Sequence, residues 1–280
     1  TNATFPLVVV SNRLPVSSSV DEHGARVPTL SPGGLVAAVA PSLQGRDAAW
    51  VGWDGTESAD SEPAEVEGIA LFPVSLSHDL VERHYEGFSN GTLWPLFHDV
   101  GVEPEFHESW WEAYQEVNAT FAHRAAEVVA PGGIVWVHDY QMMLVPGLLR
   151  ALRPDVTIGY FHHIPFCAPQ TLQSLPQHAE LLDGTAAADI AGFQRKGDCD
   201  NFLKAAGKFL GADVSVRAET YPISLDFTAV STASGDPHVL ARAAELRSEW
   251  GDPRTVFLGV DRIDYTKGIP ERLEAYEALL

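Results

Sequence analysis

FLGVDRIDYTKGI, residues 257–269, reads as a strand, a polar loop and the start of a helix. Val256 to Val260 is a short apolar run, Asp261 to Lys267 is polar, and Gly268 with Pro270 opens the amphipathic segment Glu271 to Leu280. That order makes one βα unit. Ligands of open parallel sheets bind beyond the carboxyl ends of the strands, where the free N–H groups and the dipole of the next helix attract anions. Arg262 and Lys267 fall at that place, the first a planar fork and the second a mobile point charge. The same residues also fit an exposed loop whose cations pair with Asp261 and Asp264, since surface ion pairs are common and individually weak.

Upstream, the strand-then-helix pattern repeats. Apolar runs predict strands at Leu7 to Val10, Trp50 to Trp53, Ile69 to Val74, Ile134 to His138, Thr157 to Phe161, Asp189 to Gly192 and Ser215 to Ile223. Helical patterns cover Leu35 to Leu43, Phe106 to Val129, Met142 to Leu152, Leu172 to Leu182, Gln194 to Leu210 and Pro237 to Trp250. The region from Ser77 to Val129 reads as helical, with Tyr85 to Pro95 interrupting it; Gly24 to Pro32 reads as a mobile loop and the acidic Asp54 to Glu67 as a solvated one. Such alternation predicts an α/β fold with a mostly parallel, doubly wound, Rossmann-like sheet. Ser, Thr, Gly, Asp and Pro concentrate over residues 224–236, which divides the chain into 1–233 and 234–280. One helix and one βα unit cannot close a core of their own. The expectation is a first domain with a second only begun.

Composition bounds the partners. The 280 residues are 45% hydrophobic, enough for a substantial core, and the formal charge of −20 disfavours nucleic acid and anionic membranes as partners. Cys167 and Cys199 form no CxxC and no cluster with histidine, so neither a disulfide framework nor structural zinc is expected. The amino-terminal residues lack a secretory pattern, and no apolar run is long enough to span a bilayer. A soluble, cytoplasmic protein without metal or cofactor is expected.

Several residues sit where chemistry gathers. Asp139 and His163 both follow carboxyl strand ends, a placement that fits a shared functional rim and equally fits turn-capping roles. His162 and His163 point to opposite faces of an extended chain, which argues against their ligating one metal. Gly33 and Gly34 precede a helix, as in loops that let a phosphate approach the backbone and as in plain loops. Tyr85, Phe88 and Trp94 crowd around glycine and asparagine, suiting either a sugar platform or a core.

Taken together, the motifs carry a resemblance. Val10-Ser-Asn-Arg-Leu-Pro15, Ser31-Pro-Gly-Gly-Leu35, Trp50-Val-Gly-Trp53, Tyr85-Glu-Gly-Phe-Ser-Asn90 with Leu93-Trp-Pro95, Val135-Trp-Val-His-Asp-Tyr-Gln141, His163-Ile-Pro-Phe166, Gly192-Phe-Gln194, Tyr221-Pro-Ile223 and Asp261-Arg-Ile-Asp-Tyr-Thr-Lys-Gly268 resemble, in this order, the trehalose-6-phosphate synthases. Those are retaining glycosyltransferases of the two-Rossmann-domain, or GT-B, type.

The resemblance implies transfer of glucose from a sugar nucleotide, typically UDP-glucose, to glucose 6-phosphate. It assigns the acceptor phosphate to Arg13, the acceptor frame to Tyr85 and Trp94 with Trp53 in the pocket wall, and the acceptor hydroxyls to Asp139. Gly33, Gly34 and His163 fall to the donor, and Arg262 and Lys267 to its diphosphate. No cofactor is implied, and self-association is left open. Three departures stand out: Cys167 where the family usually continues with proline, His162 in place of leucine, and Arg195-Lys196 in place of threonine and an acid. Without the rest of the second domain, little or no turnover is expected. Two other readings are a transferase with a different acceptor, which should lose the grip of Arg13, Tyr85 and Trp94, and a non-catalytic sugar-phosphate sensor.

Overall fold

The strand β1 (Phe5–Arg13) is apolar over Leu7 to Val10 because both of its faces are covered. Val8 and Val10 pack into one core with Tyr114, Val117 and Phe121, whereas Val9 packs into a second core with Val39, Leu43 and Trp50. A computed structural model of the chain describes residues 4–20, 26–31, 33–56, 62–211 and 214–280. Its other strands are β2 (Val16–Val20), β3 (Arg26–Leu30), β4 (Ala48–Trp53), β5 (Ala64–Val66), β6 (Ile69–Val74), β7 (Val129–His138), β8 (Thr157–His162), β9 (Ile190–Phe193) and β10 (Arg217–Thr220).

Eight of them form one sheet in the order β10-β9-β8-β7-β1-β4-β6-β5, parallel throughout except for the β5–β6 pair. The helix Gly34–Leu43 packs on one face and Glu108–Val128 on the other, so the α/β, doubly wound expectation holds. From β1 the chain builds outward through β4 and β6, then returns to the opposite side of β1 with β7. The switch point therefore lies between the carboxyl ends of β1 and β7, the position where open α/β sheets bind ligands.

The structure departs from the expected elements in four places. Arg26–Leu30, expected within a loop, pairs antiparallel with β2 in the register Val16↔Leu30. Gly24, Ala25 and Pro32 lie outside the described residues, as do residues 57–61 of the acidic loop. Ala64–Val66, also expected as loop, pairs with β6 through Glu67 and Gly68, both at positive φ (50° and 79°), which is the two-residue turn whose twist matches a hairpin. Tyr85 to Pro95 does not interrupt the helical region: His78–Leu80, the wide-wound Val81–Leu93 and Trp94–His98 follow one another without a break. Gly87 and Gly91 are not breakers there, because a Cβ on either would lie 2.6 or 2.9 Å from the Trp110 ring, which fills the space they leave.

The fourth departure is the stretch Val256 to Val260. The chain divides into compact units Thr1–Ile223 and Ser224–Leu280, which places the helix Phe227–Ser234 with the second. That unit also holds the helices Pro237–Glu249 and Ile269–Leu279, neither of which buries a residue. The expected buried strand is not formed, and Leu258 and Val260 are 85% and 83% exposed. A strand satisfies its backbone through a neighbour, and no other strand occurs among the described residues of this unit.

Candidate active site

Glycine at position 52 shapes the end of β1. A Cβ at Gly52 would sit 2.6 Å from the Leu14 nitrogen, so only glycine lets β1 and β4 run this close, with the Leu14 N–H donating to Trp53 O at 2.8 Å. The β1–β4 register shifts between Val10 and Arg13, and the shift is pinned by Trp50 Nε1–H donating to Ser11 Oγ (2.8 Å) and Ser11 Oγ–H donating to Arg13 O (2.8 Å). Arg13 is thereby delivered to the rim with its Cζ 4.9 Å over the Trp53 ring. Its guanidinium forms no hydrogen bond or ion pair with a described residue.

The second wall comes from the end of β7. Asp139 has φ 75° and ψ 171°, a backbone conformation nearly confined to glycine. It is held there by its N–H donating to Phe161 O at 2.8 Å and by its Oδ1 accepting the His163 N–H at 3.1 Å. The turn that follows is fastened to the helix Glu108–Val128. Tyr114 Oη–H donates to Tyr140 O at 2.6 Å and the same oxygen accepts the Met143 N–H at 3.0 Å; Asn118 donates to Gln141 O and accepts the Leu144 N–H.

Between these walls lies a cavity of about 390 Å³ lined by residues that include Arg13, Tyr85, His138, Asp139 and Gln141. Leu35 and Val36, from the first turn of the helix Gly34–Leu43, also line it. Gly33 provides no side-chain cap there, and a Cβ at Gly34 would meet nothing within 4 Å, so the backbone at this helix start is open to approach.

His163 lies one hydrogen bond behind the lining, with its Nε2 2.9 Å from His138 Nδ1. Burial holds the His138 imidazole well below its ordinary range, and burial lowers His163 too, against the opposing pull of Asp139. Both shifts favour the neutral form of the two rings, one of which then donates its N–H to the other. His162 points to the opposite side, as alternation requires: its Nδ1 is 2.9 Å from Tyr160 Oη, its ring contacts Phe97, Phe166 and Phe193, and burial lowers it to about 4.

The structure therefore brings Arg13, Tyr85, Asp139 and, through it, His163 together, with the start of the Gly33-Gly34 helix beside them. Trp53 and Trp94 do not line this cavity. Trp53 underlies Arg13, and Trp94 packs on Tyr140 and His98 with ring centroids 5.7 and 4.1 Å away, while Phe88 is core. Sequence reasoning missed Asn12, Ser31, His138 and Gln141; two of the four, Asn12 and His138, are immediate neighbours of residues it had chosen, and the other two lie two positions away. In the second unit, Arg262 lies 3.6 Å from Asp264, whose Oδ1 accepts the Thr266 N–H, and Lys267 precedes Gly268 at the start of the helix Ile269–Leu279. Asp261 pairs with Arg272 instead of Arg262, at 2.7 Å.

Glycosyltransferase family 20 matches residues 6–280. The chain belongs to glycosyltransferase family 20. Two relatives of this family 20 chain are the trehalose-6-phosphate synthases of Mycobacterium sp. (strain JLS), 44% identical over 98% of the chain, and of Mycolicibacterium smegmatis, 43% identical over all of it. The chain spans 60% and 59% of their lengths. Solved structures that share the family 20 fold include a trehalose-6-phosphate protein from E. coli bound with UDP-2-fluoro glucose (TM-score 0.83, 30% identity, 98% of this chain and 60% of that one). Another is an α,α-trehalose-phosphate synthase from Burkholderia xenovorans in complex with glucose-6-phosphate (TM-score 0.79, 30% identity, 98% and 61%).

None of the departures from the family 20 pattern is among the described residues that line the cavity. Cys167 is buried and its thiol is pushed up to about 12 by burial, which leaves it inert. Arg195 makes a two-pronged contact with the buried Asp198, both at 3.0 Å, and Asp198 accepts the Phe166 N–H. No described helix is long and apolar enough to cross a membrane.

Proposed function

We propose that the chain carries the acceptor-binding half of a retaining glucosyltransferase that moves glucose from UDP-glucose to glucose 6-phosphate, forming α,α-trehalose 6-phosphate. The observation that carries this reading is the cavity at the β1/β7 switch point, whose one cation among the described lining residues, Arg13, is not neutralised by any described acid. A guanidinium so presented suits a phosphate, and the strained Asp139 offers carboxylate oxygens to sugar hydroxyls. The solved relatives named above hold a donor analogue or glucose 6-phosphate.

In this reading the acceptor's anomeric hydroxyl attacks C1 of the donor glucose from the face the diphosphate leaves. The C1–O bond to the diphosphate breaks as the new C1–O bond forms, and the hydroxyl proton passes to the departing phosphate oxygen. The leaving group's growing charge needs preorganised positive groups, and within the first unit the open helix start at Gly33 and Gly34 offers backbone N–H groups of that kind. The resemblance gives His163 to the donor, and burial, by lowering its imidazole, favours a ring that adds no charge there. Both cysteines are free and buried, which fits the cytoplasm as the place of action.

UDP release, followed with glucose 6-phosphate and with glucose as acceptor, tests the reading on this chain and on one extended to the length of its relatives. Release by the longer protein with glucose 6-phosphate alone is the expected result; release by neither favours a sensor. Arg13→Ala should raise KM for glucose 6-phosphate by at least about tenfold, the worth of one charge-assisted hydrogen bond. Equal weakening of the donor would remove Arg13 from the acceptor site.

A further inference from the structure

Arg13 reaches the cavity without an acid among the described residues to hold it, although a long exposed guanidinium samples many rotamers unless something confines it. What confines it is the turn after β4. Trp53 Nε1–H donates to Thr56 O at 2.7 Å, and Asp54 Oδ1 accepts both the Thr56 N–H (2.8 Å) and its hydroxyl (2.9 Å), so residues 53–56 close on themselves. At the apex, Gly55 has φ +87°, and a Cβ there would lie 2.4 Å from Arg13 Nη2. The guanidinium thus lies over the Trp53 ring and against the bare Gly55 backbone.

We propose that the Trp53–Thr56 turn, through Gly55, is a positioning device that holds the Arg13 guanidinium for the acceptor's phosphate. The inference rests on the acceptor reading above and adds a residue to it. An acid would confine the arginine equally well but would cancel part of its charge. An aromatic face and a glycine backbone confine it and leave the charge for the ligand. Because the group that a methyl would meet is the flexible end of an arginine and the turn is exposed, a substitution at Gly55 displaces the guanidinium and strains only this turn, at φ +87°, leaving the core intact.

Titration calorimetry of the chain with glucose 6-phosphate and with glucose tests this. The unmodified chain should prefer glucose 6-phosphate, and Gly55→Ala should weaken that ligand by about tenfold, as loss of one charge-assisted hydrogen bond would, while leaving glucose unchanged. In an Arg13→Ala background the same change should have no further effect, which a merely structural role for Gly55 would not produce. Gly55→Asn tolerates positive φ better and serves if the alanine variant fails to fold. Unaltered glucose 6-phosphate affinity in a folded Gly55 variant, or equal losses with and without Arg13, overturns the inference and leaves the acceptor reading standing. Failure of the unmodified chain to distinguish glucose 6-phosphate from glucose overturns the acceptor reading itself.

Discussion

Asp139 is the residue at which backbone strain and ligand chemistry meet. Its φ of 75° with ψ of 171° costs about 1–3 kcal/mol in a non-glycine residue, and the bond from the His163 N–H to its Oδ1 returns a similar amount, about 1.5–3 kcal/mol. Asp139→Gly removes both, so the terms offset: the melting temperature should stay within a few degrees of the parent while glucose 6-phosphate binding falls. A large loss of stability without loss of binding would make Asp139 a turn residue only. Its position after a strand was legible in the sequence. Its conformation was not, because the Phe161 carbonyl and the His163 N–H that enforce it arrive from β8.

Elements place the residues. The helix Glu108–Val128 was readable from its apolar stripe, and the same stripe carries Tyr114 and Asn118, whose polar atoms fasten the turn from Tyr140 to Leu144. Tyr114→Phe keeps the ring but strands the buried Met143 N–H and deprives the Tyr140 carbonyl of its donor, a loss of about 1–3 kcal/mol. Urea denaturation should register that loss, and binding of glucose 6-phosphate should weaken as the neighbouring Asp139 loosens; an unchanged midpoint would mean that water replaces the hydroxyl. The hairpin β5–β6 had its own signal in Glu67-Gly68, weaker than Asn-Gly but able to adopt the same two positive φ values. Gly87 and Gly91 looked like breakers in the sequence for want of the one fact that matters, the Trp110 ring that lies against them.

Across the whole molecule, stability is coupled to acidity through histidines buried in separate elements. Burial lowers His84 to about 3 and His162 to about 4, and holds His138 well below the ordinary 6.5. Each stays neutral in the fold and takes up a proton once the chain unfolds. Below pH 6.5 the unfolded state therefore binds more protons than the native state, and stability falls as the pH drops, by roughly 1 kcal/mol per pH unit for each imidazole, through the window that ends near pH 4 for His162 and pH 3 for His84. Denaturation curves at pH 7 and pH 5 should differ by a few kcal/mol, with the chain weaker at pH 5. A flat profile would show that these rings are already hydrated or charged in the native state.

The sequence alone determined the apolar runs that become parallel strands, the polar turns at their carboxyl ends and the ordered motifs of glycosyltransferase family 20, because each depends on residues close together in the chain. Tertiary structure alone decided that β7 returns beside β1, that Arg13 rests on Trp53 and Gly55, that His138 bonds His163, and that Val256 to Val260 forms no strand. Each of those outcomes turns on a partner distant in sequence, present in the first three cases and lacking among the described residues in the last. Local propensity carries no information about such a partner.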